Sequence, residues 1–576
     1  MNNLRIGGLA SGMDIDQIVS DLMKAERTKV DKLEQDKQLI KWKQELYQEI
    51  NLDFANFILD TKKEFGLTSA TSTGTLVNKS VDSLDWVKSA TSSNENIATV
   101  SANSSAVRGT YNITVDRLAE SFSSASSSSI SIGDKSNIAS QFNLVADATK
   151  SFEIKFTIET NKGSKTFTYT NLDTVSLNDI VKDINSADLG VTAVYDSTID
   201  RFFLQTDNTG SSNWIKITDD SSTTITDAGG QTKQELNFIT GTDSLLKLTY
   251  NNGGLPTELA DDVKYSGVDA QIDFGEAKDI VMSSNQFTIN GINFNLKSTG
   301  SFTVQVDTDV DAVYNKIKTF VEKYNEIVEK VSIKLSEKRY RDYKPLTKEQ
   351  KEQLSEKEVE LWEKKAKSGL LRSDSILSRT MYNIRSGLYE QVSGVTGSYD
   401  QLTEIGITTE SYISGSTGGK LVIDEAKLKT AIQNDVDGVL ELLFKEPSEE
   451  LRTKSESNMT AAEIQQKRSE SGLINRLYDN MIAGMKEIIN KSGPGDNSAT
   501  FRDVKSNMLI DFITKYSGIS MLDKDISNID DKIDDMYDYL DRVEDRYWRQ
   551  FTAMEKAISQ MNQQSMWLMS QFGGGM

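Results

Sequence analysis

From Leu522 the apolar side chains of this chain fall at Ile526, Ile529, Ile533, Met536, Leu540, Val543 and Tyr547, in alternating steps of four and three. That is a heptad seam held for more than three repeats, the pattern of a coiled coil rather than of an ordinary surface helix. Gln550 takes one seam slot with Phe551 beside it, and the pattern resumes at Met554, Ile558, Met561, Leu568 and Phe572. At about 1.5 Å per residue such a segment makes a rod of roughly 75 Å. Each seam side chain left in water forgoes about 1.5–3 kcal/mol, so the rod requires a partner helix.

The other end of the chain supplies a candidate. Ile15, Ile18, Leu22 and Ala25 keep the three-four step, and Leu33, Ile40, Tyr47 and Phe54 then recur every seven residues, interleaved by Ile50 and Phe57. Two arrangements satisfy this: a helical hairpin within one chain, or bundling between chains. They coexist if hairpins from several copies pack side by side.

At 576 residues the chain exceeds what one core serves and is expected to hold about three or four domains. Its net charge of −21 would repel phosphate backbones and anionic membranes, which argues against nucleic acid as a partner. It has no cysteine and no histidine. Disulfides, thiolate nucleophiles, Cys/His zinc sites and imidazole bases are thereby removed. No catalytic, cofactor-binding or metal-binding residue is assigned, and the chain reads as non-enzymatic. No run of about 18 apolar residues exists to span a membrane. The opening MNNLRIGGLASGMDID has no signal-peptide core, so secretion would have to use a route that reads no removable signal.

Composition divides the chain. Residues 1 to about 65 read as helix. The stretch from about 71 to 310 is rich in Ser, Thr, Asn and Asp and carries short alternating runs, among them YNITVDRL (111–118), SFEIKFTIE (151–159), RFFLQT (201–206) and INFNL (292–296). Period-two alternation between turn residues predicts antiparallel β-structure. The serine run at 121–133 reads as a boundary or a loose loop rather than core, and strand patterning resumes at 265–310, which predicts a β-rich domain of 126–261 inserted into one made of 71–125 and 262–310. Helical periodicity returns at Val313, Ile317, Phe320, Tyr324, Ile327 and Val331. Thr347–Gln350 and Ser355–Glu358 match capping boxes. A helical bundle is expected over 311–449, with a β-hairpin near 402–423 and part of the N-terminal helix joining it. Residues 1–65 and 450–576 would form the coiled-coil leg and adjoining helices. The fold class is therefore α+β and multidomain: long terminal coiled-coil helices, a helical bundle, and two β-rich antiparallel head domains, one inserted in the other.

Three motifs read as ordinary structure. GSTGGK (415–420) has the wrong glycine spacing for a phosphate loop and lacks the hydroxyl after the lysine, so a hairpin turn is expected. Asp307, Asp309 and Asp311 alternate like the start of a calcium loop without its glycine or distal glutamate; Asp307 or Thr308 is expected to cap the following helix. The acidic positions Asp523, Asp525, Asp530, Asp531, Asp534, Asp535, Asp538 and Asp541 lie off the seam, as on a solvated coil face.

Several stretches, in order along the chain, resemble the flagellar filament cap (FliD) family of hook-associated proteins. They are LRIGGLASGMDIDQIVSDLMKAER (4–27), RGTYNITVDRLAES (108–121), INSADLGVTAVYD (184–196), FVEKYNEIVEKV (320–331), SGLLRSDSILSRTMYNIR (368–385), LTEIGITT (402–409), GKLVIDEAKLKTAI (419–432) and QFTAMEKAISQMNQQSMWLMSQF (550–572). The resemblance implies export by the flagellar type III apparatus and a ring of five or six copies at the filament tip, under which flagellin folds and inserts. It also implies hook-associated junction proteins and a cytoplasmic export chaperone as partners. Ile15, Ile18, Leu22, Leu33, Ile40, Tyr47 and the C-terminal seam from Leu522 to Phe572 are the candidate assembly residues. The alternative is a surface adhesin whose β-domains stack Trp86, Tyr195 or Trp214 on glycans.

Overall fold

The structure, a computed structural model, describes residues 12–71, 76–228, 230–410, 418–455, 458–493 and 519–572. The chain is α+β and divides into two compact units, one of Asp85–Asp309 and one of Met1–Leu84 with Val310–Met576.

The 85–309 unit is built on two cores. The first lies between two antiparallel sheets. Five strands run in the order Ala277–Met282, Ala270–Phe274, Gly109–Arg117, Gly300–Thr308 and Lys88–Ser92, and three run Gln286–Ile289, Ile292–Leu296 and Ala98–Ala102. Alternation aims Ile113, Val115, Ile272, Val304 and Val306 of one sheet and Ala98, Ile292 and Phe294 of the other inward. Between Gly109–Arg117 and Ala270–Phe274 the chain leaves to build the second core. There the strand Lys150–Thr160 alternates strictly and buries Ile154, Phe156 and Ile158, while Phe202, Leu204 and Ile180 of the helix Leu177–Asn185 join from other elements. Exit and return are clasped by paired backbone bonds between Glu120 and Val268. Gly267 is required at this crossing, because a Cβ there would stand 2.5 Å from the Glu120 carbonyl.

Asp200 is the polar hub of the second core. It is buried at a left-handed φ of 55°, a conformation that Asp tolerates better than most residues. Its carboxylate accepts from the Ser129 hydroxyl, from the Ser131 amide at 2.8 Å and from the Tyr195 hydroxyl at 2.8 Å. Burial pushes the carboxyl up, but the hydrogen bonds from Ser129, Ser131 and Tyr195 outweigh it and hold the group well below the usual carboxylate range. The serine run is thus fastened at 129–131. Contrary to the expected loose loop, its Ser123–Ser126 is a strand paired with Arg201–Thr206 and Leu248–Asn252. Ser124 and Ser126 are buried there because their hydroxyls bond backbone carbonyls.

The second unit is helical. Its central helix, Val310–Ser336, buries Val313, Ile317, Phe320, Val321, Tyr324, Val328 and Val331; the predicted Ile327 is half-buried and Val328 takes its place. The strand before this helix runs on to Thr308, which pairs with Lys88. Asp307 and Thr308 are therefore held in the sheet and do not cap the helix, contrary to the sequence expectation. Asp307 meets Arg108 and Asp311 meets Lys429, two separate cations rather than one metal position. Both predicted capping boxes form, at Thr347–Gln350 and Ser355–Glu358. The strands Ile407–Thr409 and Leu421–Ile423 pair antiparallel; residues 415–417 of the GSTGGK string lie outside the described residues. Arg476, 1% exposed, donates to the Gly387, Glu390, Gln391, Ser469 and Ser471 carbonyls, so one guanidinium closes the C-terminal ends of two helices, Ser375–Tyr389 and Ala461–Glu470.

The Asp200 hub predicts an acid dependence. Because its pKa is depressed in the folded state, its stabilisation is complete above the ordinary carboxylate value near 4 and is lost as pH falls from there. Asp200→Asn should cost about 2 kcal/mol at pH 7 and flatten the loss of stability of the β-rich unit below pH 4, as read by thermal unfolding across pH. An unchanged acid profile would remove Asp200 from that role.

Candidate functional site

The two terminal helices, Ile15–Glu64 and Met521–Phe572, form the site. The C-terminal helix opens on a capping box that the sequence reading missed: the Ser520 hydroxyl accepts from the Asp523 amide at 3.1 Å, and the Ser520 amide donates back to the Asp523 carboxylate at 3.2 Å. The same carboxylate receives the Gln44 amide at 2.8 Å. Burial pushes the Asp523 carboxyl up, but Ser520 and Gln44 prevail and lower it. Further along, Lys37 pairs with Asp530, the Tyr537 hydroxyl donates to Glu34 at 3.1 Å, and the Lys29 ammonium sits 5.5 Å from the centre of the Tyr539 ring. Numbers fall on one helix as they rise on the other, so the pair is antiparallel.

Its core is Ile15, Val19, Met23 and Val30 against Ile533, Leu540 and Val543, with Leu33, Ile529, Met536, Tyr547, Trp548 and Phe551 packed around them. The C-terminal seam read from the sequence is therefore the packed one from Leu522 to Tyr547, with Ile526 half-buried. On the N-terminal helix the reading slipped. Ile18 is half-buried, Leu22 is 37% exposed, and neither joins this core. The true stripe steps by four twice, from Ile15 to Val19 to Met23, before settling into the three-four alternation. Polar residues at Lys37 and Gln44 then occupy the stripe and hide it from an apolar count. The usable signal was Val30, three residues before Leu33.

Leu33 and Ile40 lie on the same stripe, partly covered. Tyr47 is 1% exposed but belongs elsewhere. Its hydroxyl donates to Asp374 at 2.5 Å, and Asp374 also caps the helix Ser375–Tyr389 through the Ile376 and Leu377 amides. Burial, and then the Asp374 carboxylate, push the phenol far up, so Tyr47 stays a donor. From Tyr47 onward the N-terminal helix is rooted in the helical body. Phe57 and Phe65 stand 5.8 and 5.6 Å from Phe320, Phe65 stands 4.8 Å from Phe444, and Thr61 shares a hydrogen bond with Tyr478.

Past Phe551 the C-terminal helix outruns its partner. Met554 and Ile558 are half-buried, and every described residue from 560 to 571 is exposed. Met561, Met566, Trp567, Leu568 and Met569 are 62%, 67%, 61%, 48% and 74% exposed. The side chain of Phe572 lies outside the described residues. The overhang is about 30 Å long at 1.5 Å per residue, and it carries a run of large apolar side chains with no cover within the described chain. Exposed apolar surfaces of this kind are a general signature of interaction sites, which makes the overhang the candidate one.

Each ring named for glycan stacking has its own place among the described residues. Tyr195 is tied to Asp200 through its hydroxyl, Trp214 carries the Lys264 ammonium 4.1 Å from its ring centre, and Trp86 is half-buried.

Residues 267–563 match the family described as flagellar hook-associated protein 2 C-terminus, and residues 11–122 match the corresponding N-terminus. The flagellar hook-associated protein 2 of Halalkalibacterium halodurans is 32% identical over 97% of this chain and 98% of its own. That of Thermotoga maritima is 24% identical over 68% of this chain and 51% of its own. Among solved structures, the flagellar cap protein FliD of Escherichia coli covers 77% of this chain and 95% of its own, at 19% identity and a TM-score of 0.47.

The packed stripe makes a direct prediction. Ile533→Asp with Leu540→Asp should remove roughly 1.5–3 kcal/mol at each site and add the cost of burying two carboxylates. Hydrogen exchange should then quicken in 15–44 and 521–551 while 310–336 and 473–492 stay protected. Equal protection in both segments would show that the stripe does not hold the pair.

Proposed function

The chain belongs to the flagellar hook-associated protein 2 family, the filament cap, and from that premise we propose that it forms an oligomeric ring at the distal end of the filament. The ring, of five or six copies, retains exported flagellin and promotes its folding and insertion. The observation that carries the reading is the apolar overhang of the C-terminal helix beyond Phe551, which meets no partner helix among the described residues. Flagellin is its proposed partner during growth, the hook-associated junction proteins its neighbours before growth begins, and a cytoplasmic chaperone its cover before export. The work is mechanical: each step trades one set of apolar seam contacts for an equivalent set one lattice site away.

The proposed division of labour follows the cores. Residues 126–261 form the outer head, 71–125 with 262–310 the inner head, 311–449 the helical body, and 1–65 with 450–576 the leg. Two observations support it: the second β-core is drawn from residues 122–259, and the two family matches stop at 122 and resume at 267.

Deleting the gene should leave stunted or absent filaments and unpolymerised flagellin in the culture supernatant. Complementation with a chain lacking 552–572 should leave that leak in place, whereas one altered only at Trp214 should abolish it. Normal filaments from the truncated chain would overturn the role given to the overhang, and normal filaments without any copy of the gene would overturn the cap itself.

A further inference from the structure

In a chain of net charge −21, the segment Lys338-Arg339-Tyr340-Arg341-Asp342-Tyr343-Lys344 carries four cations and one acid. It is not a loose charged tail. The Tyr340 and Tyr343 rings meet edge-on at 6.0 Å, and Tyr343 lies 4.7 Å from Trp362 on the helix Glu356–Lys367. Trp362 donates its indole N–H to the Lys344 carbonyl at 2.8 Å. Lys338 sits 5.0 Å from the Tyr340 ring centre and Lys365 sits 4.7 Å from that of Tyr343. The Gln35 amide donates to the Pro345 carbonyl, tying the surface to the N-terminal helix. Neighbouring Lys351 and Lys367 are neutralised by Glu363 and Glu45. Lys338, Arg341, Lys344 and Lys365 have no ion pair among the described residues, and all four are exposed.

The same unit carries the complementary feature. On the C-terminal helix Asp530, at the flank of the seam, is paired with Lys37. The outer face is not. Asp531, Asp534, Asp535, Asp538 and Asp541 are exposed and have no ion pair among the described residues. Each has another three or four residues away, over about 15 Å of helix, an arrangement in which like charges repel and weaken an isolated helix. Within one copy the two surfaces are both built and both left open.

We propose that the 338–365 surface of one copy docks the acidic outer face of the C-terminal helix of a second copy. The contact is head-to-tail, since the two surfaces differ, so every copy offers one of each to its neighbours and a closed ring leaves none unmatched. Arg341 supplies directional donors to carboxylates and Lys344 a point charge, and the packed rings hold Lys338 and Lys365 in place without a carboxylate of their own. This inference deepens the ring reading and rests on it.

The absence of cysteine makes a clean test possible in the full-length chain. With Arg341→Cys and Asp538→Cys in one chain, oxidation should give a covalent ladder beyond the dimer, while either substitution alone stops at dimer or monomer. In sedimentation at low salt, Lys338→Glu with Arg341→Glu should weaken assembly about tenfold or more, and Asp534→Lys with Asp538→Lys should do the same. All four together should recover most of the loss, an outcome that damage to the fold cannot produce. If the unaltered chain assembles but the double-cysteine chain gives no ladder and the fourfold charge variant no recovery, this contact is wrong and the ring stands. If the unaltered chain stays monomeric at every concentration and the double-cysteine chain gives no ladder, contact and ring fall together.

Discussion

A single 50-residue helix with two different partners sets the plan of the helical unit. Between Tyr47 and Phe65 it is buried among Phe320, Phe444 and Tyr478, where aromatic contact area is large and the Thr61 and Tyr47 hydroxyls find fixed acceptors or partners. Between Ile15 and Gln44 its apolar stripe is covered by the C-terminal helix, and single polar contacts such as Gln35 to the Pro345 carbonyl and Gln44 to the Ser492 carbonyl reach the body. Burial per residue is lower there, and polar residues enter the stripe at Lys37 and Gln44. One end is therefore anchored like a domain core and the other like a coiled coil, which opens at smaller cost. Under the proposed function, in which this part exchanges partners, that gradient is the useful property.

The polar groups divide along the same line. In the head and body they are spent on geometry: Asp200 pins a serine-rich loop and Arg476 closes two helix ends. Asp374 joins a helix cap to the Tyr47 hydroxyl. Each satisfies groups that would be costly to leave unpaired under cover. Along the outer face of the C-terminal helix, and on the 338–365 surface, charge is left unspent. Charge without an ion pair among the described residues adds little to folding one copy, which is the ground for the contact proposed with a second.

The elements legible from residues alone were those whose signal is local. Alternation located Lys150–Thr160 and Arg201–Thr206, and the capping boxes located the starts of the helices at 348 and 356. The C-terminal seam was readable because its heptads run unbroken from Leu522 to Tyr547. The N-terminal stripe was not, because two consecutive four-residue steps shift the phase by one position. Ile18 and Leu22 fit the expected period as well as Val19 and Met23 do, and only the partner helix distinguishes them. Asp307 and Thr308 were misassigned for a related reason. Their capping chemistry is real, but a ladder to Lys88 holds them in extended backbone.

By itself the sequence determined that the ends are long amphipathic helices, that the middle is antiparallel β-structure with one part inserted in another, and that imidazole and thiol chemistry are absent. Periodicity, turn residues and composition are properties of neighbours along the chain, so no fold is needed to read them. Only the tertiary structure decided which apolar stripe is covered and where cover stops: Val19 rather than Leu22, Phe551 rather than Leu568. It also decided which of many charges are answered. Those are differences between residues of like hydrophobicity or like charge, and they arise only when a second surface arrives to bury one and leave the other in water.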